Sequence, residues 1–373
     1  KNNNAIKEKK VGILTFHKAI NYGAVLQAYA LSNTLLEYYS VDILDYECKQ
    51  ISRNNNIETN KLKKIIKCLI YHRMMSDKKK RISKFNEFVR KYLPLSVEYN
   101  ESNIKLANDK YDAIVVGSDQ VWNLRVTGYD MNYYLRFAND DKKYSYAVSF
   151  GGSPSVFEGN KKEINKALSS FQALLVREKD AVEYIKKEIT ATVPKLTCDP
   201  VFLLSKDVWI KKMNLVRNNT KKGYIFVYIV APDEFSINFA MNLAKDHNLD
   251  VVVNQLYKGK NAYVKGTISR MDAGPIEFQQ LILNAAYVVT TSFHAMAFSL
   301  IFNIDFYFEL SKDPKSKNSR LINLAEIFSM EDREIKSGQC NPKNIEWNTV
   351  NFKIKEYAEG SKTILFDSLK TIK

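Results

Sequence analysis

Three short stretches hold the residue types that do chemistry. Gly117-Ser118-Asp119-Gln120-Val121-Trp122-Asn123 sets a carboxylate, two amides and an indole behind a glycine that permits a sharp turn. Such a mixture suits a sugar: amide and carboxylate oxygens hold hydroxyls, an aromatic face covers the ring, and Asp119 can take a proton as a general base. The same residues also spell an Asx turn with Trp122 as core. Ser292-Phe293-His294 follows the apolar run YVVTT at 287–291. Ser292 reads as a helix N-cap, so the first-turn N–H groups, the helix dipole and the His294 imidazole suit a phosphate or carboxylate. A lone histidine in an apolar helix reads equally as a satisfied core residue. The third stretch, His17 with Asn21, Tyr22 and Gly23, follows VGILT at 11–15. It lacks G-x-G-x-x-G spacing, because Gly12 lies within the run, and this argues against a nicotinamide enzyme.

Isolated charges accompany these stretches. Arg177 follows the run at 173–176, Arg270 lies in a polar loop, and Arg320 opens a helix after SKDPKSKN. One such guanidinium alone is an ion pair; two converging grip an anion. Glu277, in Gly274-Pro275-Ile276-Glu277, places proline near the first position of a helix and a carboxylate in its first turn, which is good helix chemistry in itself.

The elements that must position these groups alternate. Strand 11–15, a helix from Gly23 to Tyr39 and strand 41–46 form a βαβ unit. Apolar runs at 112–116, 143–150, 173–176 and 193–198 continue the pattern. A second series comprises strands at 224–231, 251–254, 287–291 and 305–309, with helices near 234–247 and 275–286. The expected fold is α/β, with two Rossmann-like doubly wound domains over 1–205 and 206–347 and a C-terminal helix over 348–373 that packs back on the first domain. In such sheets ligands bind at the carboxyl ends of strands, where all three stretches fall.

Composition narrows the partners. With 373 residues and 45% hydrophobic side chains the chain can bury two cores, which excludes collagen-like and disordered classes. A net charge of +15 favours phosphorylated small molecules, nucleic acid or an acidic membrane face. Residues 61–91 carry twelve Lys and Arg against Asp77 and Glu87. There Leu62, Ile65, Ile66, Leu69, Ile70 and Met74 fall at helical spacing, giving a solvated helix on the first domain or one docked to an anionic membrane. No helix-turn-helix, zinc-finger or stacking pattern accompanies it, so no nucleic acid is expected. Cys48, Cys68, Cys198 and Cys340 stand far apart with no C-x-x-C pair, so neither a zinc module nor a disulfide framework is expected, and a reducing cytosol is. No run reaches the roughly 18 apolar residues of a membrane span. The Asn/Lys-rich opening has no signal-peptide core, although the chain does not begin with Met.

Six segments, NYGAVLQAYAL at 21–31, VGSDQVWN at 116–123, VREKDAVEYI at 176–185, CDPVFLL at 198–204, GPIEFQQLI at 274–282 and TTSFHAMAFSLIFN at 290–303, together resemble the polysaccharide pyruvyl transferases. The resemblance implies a two-lobed GT-B-like fold. It also implies transfer of pyruvate from phosphoenolpyruvate onto a glycan sugar as a cyclic ketal, with release of phosphate and no further cofactor or metal. Members commonly carry Arg-Leu-His where this chain has Ser292-Phe293-His294. By resemblance His294 and Arg177 bind the donor; Ser292, Phe293 and Glu277 are expected beside them, and the missing guanidinium is expected from Arg320 first and Arg270 second. His294 stabilises phosphate or protonates the donor, Asp119 is the base with His17 competing, and the acceptor lies against Asn21, Tyr22, Gln120, Trp122 and Asn123. The expected acceptor is a lipid-linked oligosaccharide precursor of a bacterial surface or capsular polysaccharide, with galactose ahead of an N-acetylhexosamine. The expected location is the cytoplasm, peripheral at the anionic membrane face through residues 61–91. Two rivals stand: a GT-B sugar-nucleotide glycosyltransferase with Glu277 on the ribose, and a non-enzymatic membrane- or polyanion-binding module.

Overall fold

Short runs rich in Val, Ile and aromatic residues, mostly buried on both faces, pair in parallel, which is how strands covered by helices on either side read. The computed structural model describes residues 9–55, 68–151, 160–189, 192–218, 223–231, 234–255, 264–312 and 318–372. The chain divides into two compact units: Lys1–Ile57 with Val89–Leu204 and Glu356–Lys373, and Glu58–Phe88 with Ser205–Lys355.

In the first unit β1 (Lys10–Leu14), β2 (Ser40–Tyr46), β3 (Leu95–Tyr99), β4 (Ala113–Val116) and β5 (Lys143–Ser145) form one parallel sheet in the order β3-β2-β1-β4-β5. β6 (Leu175–Val176) and β7 (Lys195–Leu196) pair separately. The helix Tyr22–Leu35 returns the chain from β1 to β2; of its residues only Asn33 is not buried. A helix apolar all round is a core helix. Trp122, Tyr134, Phe150 and Phe171 pack with it into one apolar core.

The second unit repeats the plan. β8 (Ile225–Ile229), β9 (Val251–Gln255), β10 (Ile268–Ser269), β11 (Tyr287–Thr290) and β12 (Asp305–Phe308) lie in the order β10-β9-β8-β11-β12, all parallel. The helix Phe293–Phe302 is buried throughout, with Phe298 edge-on to Trp209 at 5.2 Å. Each sheet reverses its strand order between its first and fourth strands, β1 and β4 here, β8 and β11 there. Such a reversal opens the crevice where α/β folds bind ligands.

Several expectations change. The run at 143–150 is a strand only over Lys143–Ser145, and β3 and β10 were not anticipated. The basic segment forms a helix over Cys68–Tyr92, and residues 58–88 group with the second unit rather than the first. Leu62, Ile65 and Ile66 lie outside the described residues. The last helix, Trp347–Leu369, joins the first unit from Glu356 on. There Ser361 Oγ accepts the Cys198 N–H at 2.9 Å and Phe366 meets Tyr38 at 4.7 Å. Among the described residues no helix is long and apolar enough to cross a membrane.

Candidate functional site

The turn after β4 is built on Gly117. Its φ is +119°, and a Cβ there would stand 2.3 Å from the Tyr146 carbonyl oxygen, so only glycine fits. The Ser118 N–H donates to Gln27 Oε1 at 3.1 Å, and Gln27 Nε2 donates to Thr15 Oγ1 at 2.8 Å. This amide ties the end of β1 to the end of β4 across the strand-order reversal. The chain then enters the left-handed region at Asp119, φ +70°, which aspartate tolerates better than most residues.

The Asp119 carboxylate lies 3.5 Å from Arg177 Nη2. Arg177, 6% exposed, also donates from Nη1 to Asp199 Oδ2 at 2.5 Å and from Nε to Glu178 Oε1 at 3.1 Å. Burial works against its charge, but Glu178, Asp199 and Asp119 outweigh that and hold its pKa above the ordinary value. These three ion-pair partners are all carboxylates of the same unit. The guanidinium of Arg177, expected as a donor ligand, is thus engaged by Asp119, Glu178 and Asp199.

Other expected acceptor contacts are corrected too. Trp122 is fully buried, donates Nε1–H to the Tyr133 carbonyl at 3.0 Å and stacks on Tyr134, so it presents no face to a sugar. Tyr22 is likewise buried in the core. His17, 1% exposed, sets Nδ1 against the Thr15 carbonyl and Nε2 against Asp45 Oδ1 at 2.9 Å, an oxygen that Lys18 shares at 2.6 Å. With both nitrogens engaged and no surface it cannot reach an acceptor as a competing base. Asn21 remains exposed and caps the helix Tyr22–Leu35 by accepting the Ala24 N–H. Asn123 Nδ2 donates to Gln120 Oε1 at 3.0 Å, and Gly151, φ +73°, lies so close that a Cβ would meet both amides. Gln27, Glu178, Asp199 and Gly151 went unassigned from the sequence. Asp199-Pro200 carried a signal for one of them, since Asp199 Oδ1 caps the Val201 N–H.

In the second unit Thr291 Oγ1 accepts the N–H groups of Val230 and Ala231 at 3.0 and 3.3 Å, joining the ends of β8 and β11 at the other reversal. Ser292 is the N-cap, its Oγ accepting the Ala295 N–H. His294 follows in the first turn, 7% exposed and edge-on to Phe293 at 5.1 Å. Glu277 is occupied: Oε2 caps the Gly274 N–H at 2.9 Å and Oε1 pairs with Lys84 Nζ at 2.5 Å. It is a capping-box carboxylate rather than a ligand group. Arg270 Nε donates to Asp272 Oδ1 at 3.3 Å, and Lys84 reaches the other Asp272 oxygen at 3.3 Å. Arg320 is half-buried in the first turn of the helix Ser319–Phe328. Among the described residues no three metal-ligating side chains gather.

The model of the family described as polysaccharide pyruvyl transferase matches residues 21–308, over three quarters of the chain. The chain belongs to the polysaccharide pyruvyl transferase family. As a member of that family it is a polysaccharide-modifying transferase. No curated protein sequence matches it significantly. Among solved structures it is similar to UDP-GlcNAc 2-epimerase from Neisseria meningitidis bound to UDP-GlcNAc, at 10% identity and TM-score 0.52, covering 97% of this chain and 99% of that one. It is also similar to a UDP-N-acetylglucosamine 2-epimerase from Listeria monocytogenes, at 7% identity and TM-score 0.51, covering 95% and 90%. At such identities the likeness speaks for the fold: this chain has the Rossmann-like, GT-B-type fold.

Proposed function

We propose that this pyruvyl transferase moves pyruvate from phosphoenolpyruvate onto two hydroxyls of one sugar in a surface-polysaccharide precursor, releasing phosphate. The observation that carries the reading is His294 in the first turn of an N-capped helix at the strand-order reversal of the second unit. There an imidazole and a helix N-terminus meet the needs of a phosphorylated enol.

The chemistry is redox-neutral. The terminal carbon of the enol phosphate gains a proton, the central carbon becomes an oxocarbenium-like electrophile, and one sugar hydroxyl adds to it. A second hydroxyl then displaces phosphate and closes the ketal. Of the two hydroxyl protons, one balances the proton placed on carbon and the other leaves with phosphate. In our reading His294 protonates the donor or stabilises the departing phosphate, and Asp119, held by Arg177, accepts a hydroxyl proton. We assign Asn21, Gln120 and Asn123 as the remaining polar groups for the acceptor. The sugar-nucleotide reading is weakened because Glu277 is already engaged by Gly274 and Lys84. We further propose a cytoplasmic enzyme acting on a lipid-linked acceptor, with the basic helix meeting the membrane.

The test is phosphate release from phosphoenolpyruvate across free and lipid-linked glycosides. Release that needs both substrates supports the reading; stabilisation by nucleoside diphosphates with no phosphate released from phosphoenolpyruvate overturns it.

A further inference from the structure

Arg81 stands on the helix Cys68–Tyr92 within the second unit and is only 9% exposed. Its Nη1 donates to the Gln255 carbonyl at 3.2 Å, and its Nη2 to Asn254 Oδ1 at 3.1 Å and to the Met271 sulfur at 3.7 Å. All three acceptors are neutral, and no carboxylate among the described residues pairs with it. Its Nε–H is buried with no acceptor. Two independent features thus ask for an explanation: a buried charge without a counter-ion and a buried donor without a partner.

The neighbouring charges do not balance it. Lys84, one turn on, and Arg270 share Asp272 and Glu277 between them, so three cations face two carboxylates. Asn254 and Gln255 end β9 and Met271 follows β10, so Arg81 sits at the carboxyl edge of the parallel sheet. Gln255 pairs with Ile229 and Thr290 with Tyr228, so the ends of β9 and β11 lie at nearly the same level, with β8 alone between them. Two strand spacings are roughly 10 Å. Arg81 stands at one end of this edge, and His294 follows β11 at the other.

We infer that Arg81, buried with a free Nε–H donor at the carboxyl edge of the sheet, is an oxyanion ligand of the second unit. The inference rests on the reading above only in naming phosphoenolpyruvate as the natural ligand; the phosphate and the carboxylate of that molecule are the two oxyanions it offers. Arg270, shared with Asp272, is the weaker candidate on the same charge argument.

The experiment is thermal melting and calorimetric titration of the full chain with inorganic phosphate, pyruvate and phosphoenolpyruvate, for wild type, Arg81→Gln and Arg81→Lys. Phosphate or pyruvate is expected to raise the wild-type melting temperature, and which of them does so tells which oxyanion binds. Arg81→Gln is expected to weaken the effective ligand and phosphoenolpyruvate at least tenfold, each melting shift being read against the same variant without ligand. Arg81→Lys, which keeps the charge but loses the planar fork, should fall between and carries the test if the glutamine variant does not fold. A wild type indifferent to all three ligands, or variants that bind them as tightly as wild type, overturns the inference. Arg81-dependent binding of phosphate with no transfer to any acceptor would sink the transferase reading and leave the oxyanion site standing.

Discussion

Asp119 and Arg177 pair at 3.5 Å, and in the mechanism we propose the arginine fixes the carboxylate and the carboxylate takes the proton. Asp119→Asn keeps the shape and removes the base, so kcat for ketal formation should fall about 10²–10⁴-fold. The KM for phosphoenolpyruvate should hardly move, as steady-state kinetics will show. Arg177→Lys should lower kcat less and shift its pH profile, because a single ammonium replaces a fork that holds Asp119, Glu178 and Asp199. The thiols offer a control. Burial pushes Cys198 up to about 12 and raises Cys48, so neither should react with a thiol reagent at pH 8 until the chain is unfolded, which a timed labelling assay checks. At this scale the sequence was a partial guide. The placement of Asp119, Ser292 and His294 beyond the carboxyl ends of β4 and β11 was legible, because each lies within four residues of an apolar strand. Trp122 was misread because an indole among polar neighbours looks the same whether its ring faces sugar or core; only Tyr133, Tyr134 and Phe150 decide that. Arg81 was hidden among basic neighbours, although the buried Phe85 and Phe88 at helical spacing from it mark the face that turns inward.

Among the elements, the turn after β4 is the least tolerant of change. Gly117→Ala forces a side chain into a left-handed conformation and against the Tyr146 carbonyl, and should cost roughly 3 kcal/mol or more in urea unfolding. Strands β1, β2, β4, β8, β9, β11 and β12 were legible as short apolar runs, since strands covered on both faces carry their signal in composition. β3 was not: LSVEY is a sheet edge with only Tyr99 buried, so it shows neither an apolar run nor a clean alternation. The helix Cys68–Tyr92 also escaped correct placement. It changes unit between Phe88 and Val89, within one continuous helix, where no proline, glycine or polar break marks the boundary.

For the whole molecule, acid is the natural stress. Burial raises the Asp45 pKa but His17 and Lys18 outweigh it and bring it below the ordinary carboxylate value; at Asp272 burial is outweighed in the same way by Lys84 and Arg270. A carboxylate lowered on folding adds stability above its unfolded pKa, about 3.9, and loses it as pH falls through the folded value. The urea midpoint should therefore drop below about pH 4, and the gap between wild type and Asp45→Asn should narrow there; a constant gap down to pH 2 would contradict the assignment. The net charge of +15 bears on the acceptor: if the basic helix meets a membrane, turnover on lipid-linked acceptor in anionic vesicles should exceed that on the free glycan and fall with salt. The central claim is that this family member joins an enol pyruvate to a sugar with His294 at the donor. The direct measurement is carbon NMR of a glycan product formed from labelled phosphoenolpyruvate by wild type and by His294→Asn. We predict a ketal carbon and methyl signal on the sugar with wild type and a loss of at least a hundredfold in its rate of appearance with the variant; label that never reaches the glycan, or reaches it equally fast without the imidazole, would contradict the account.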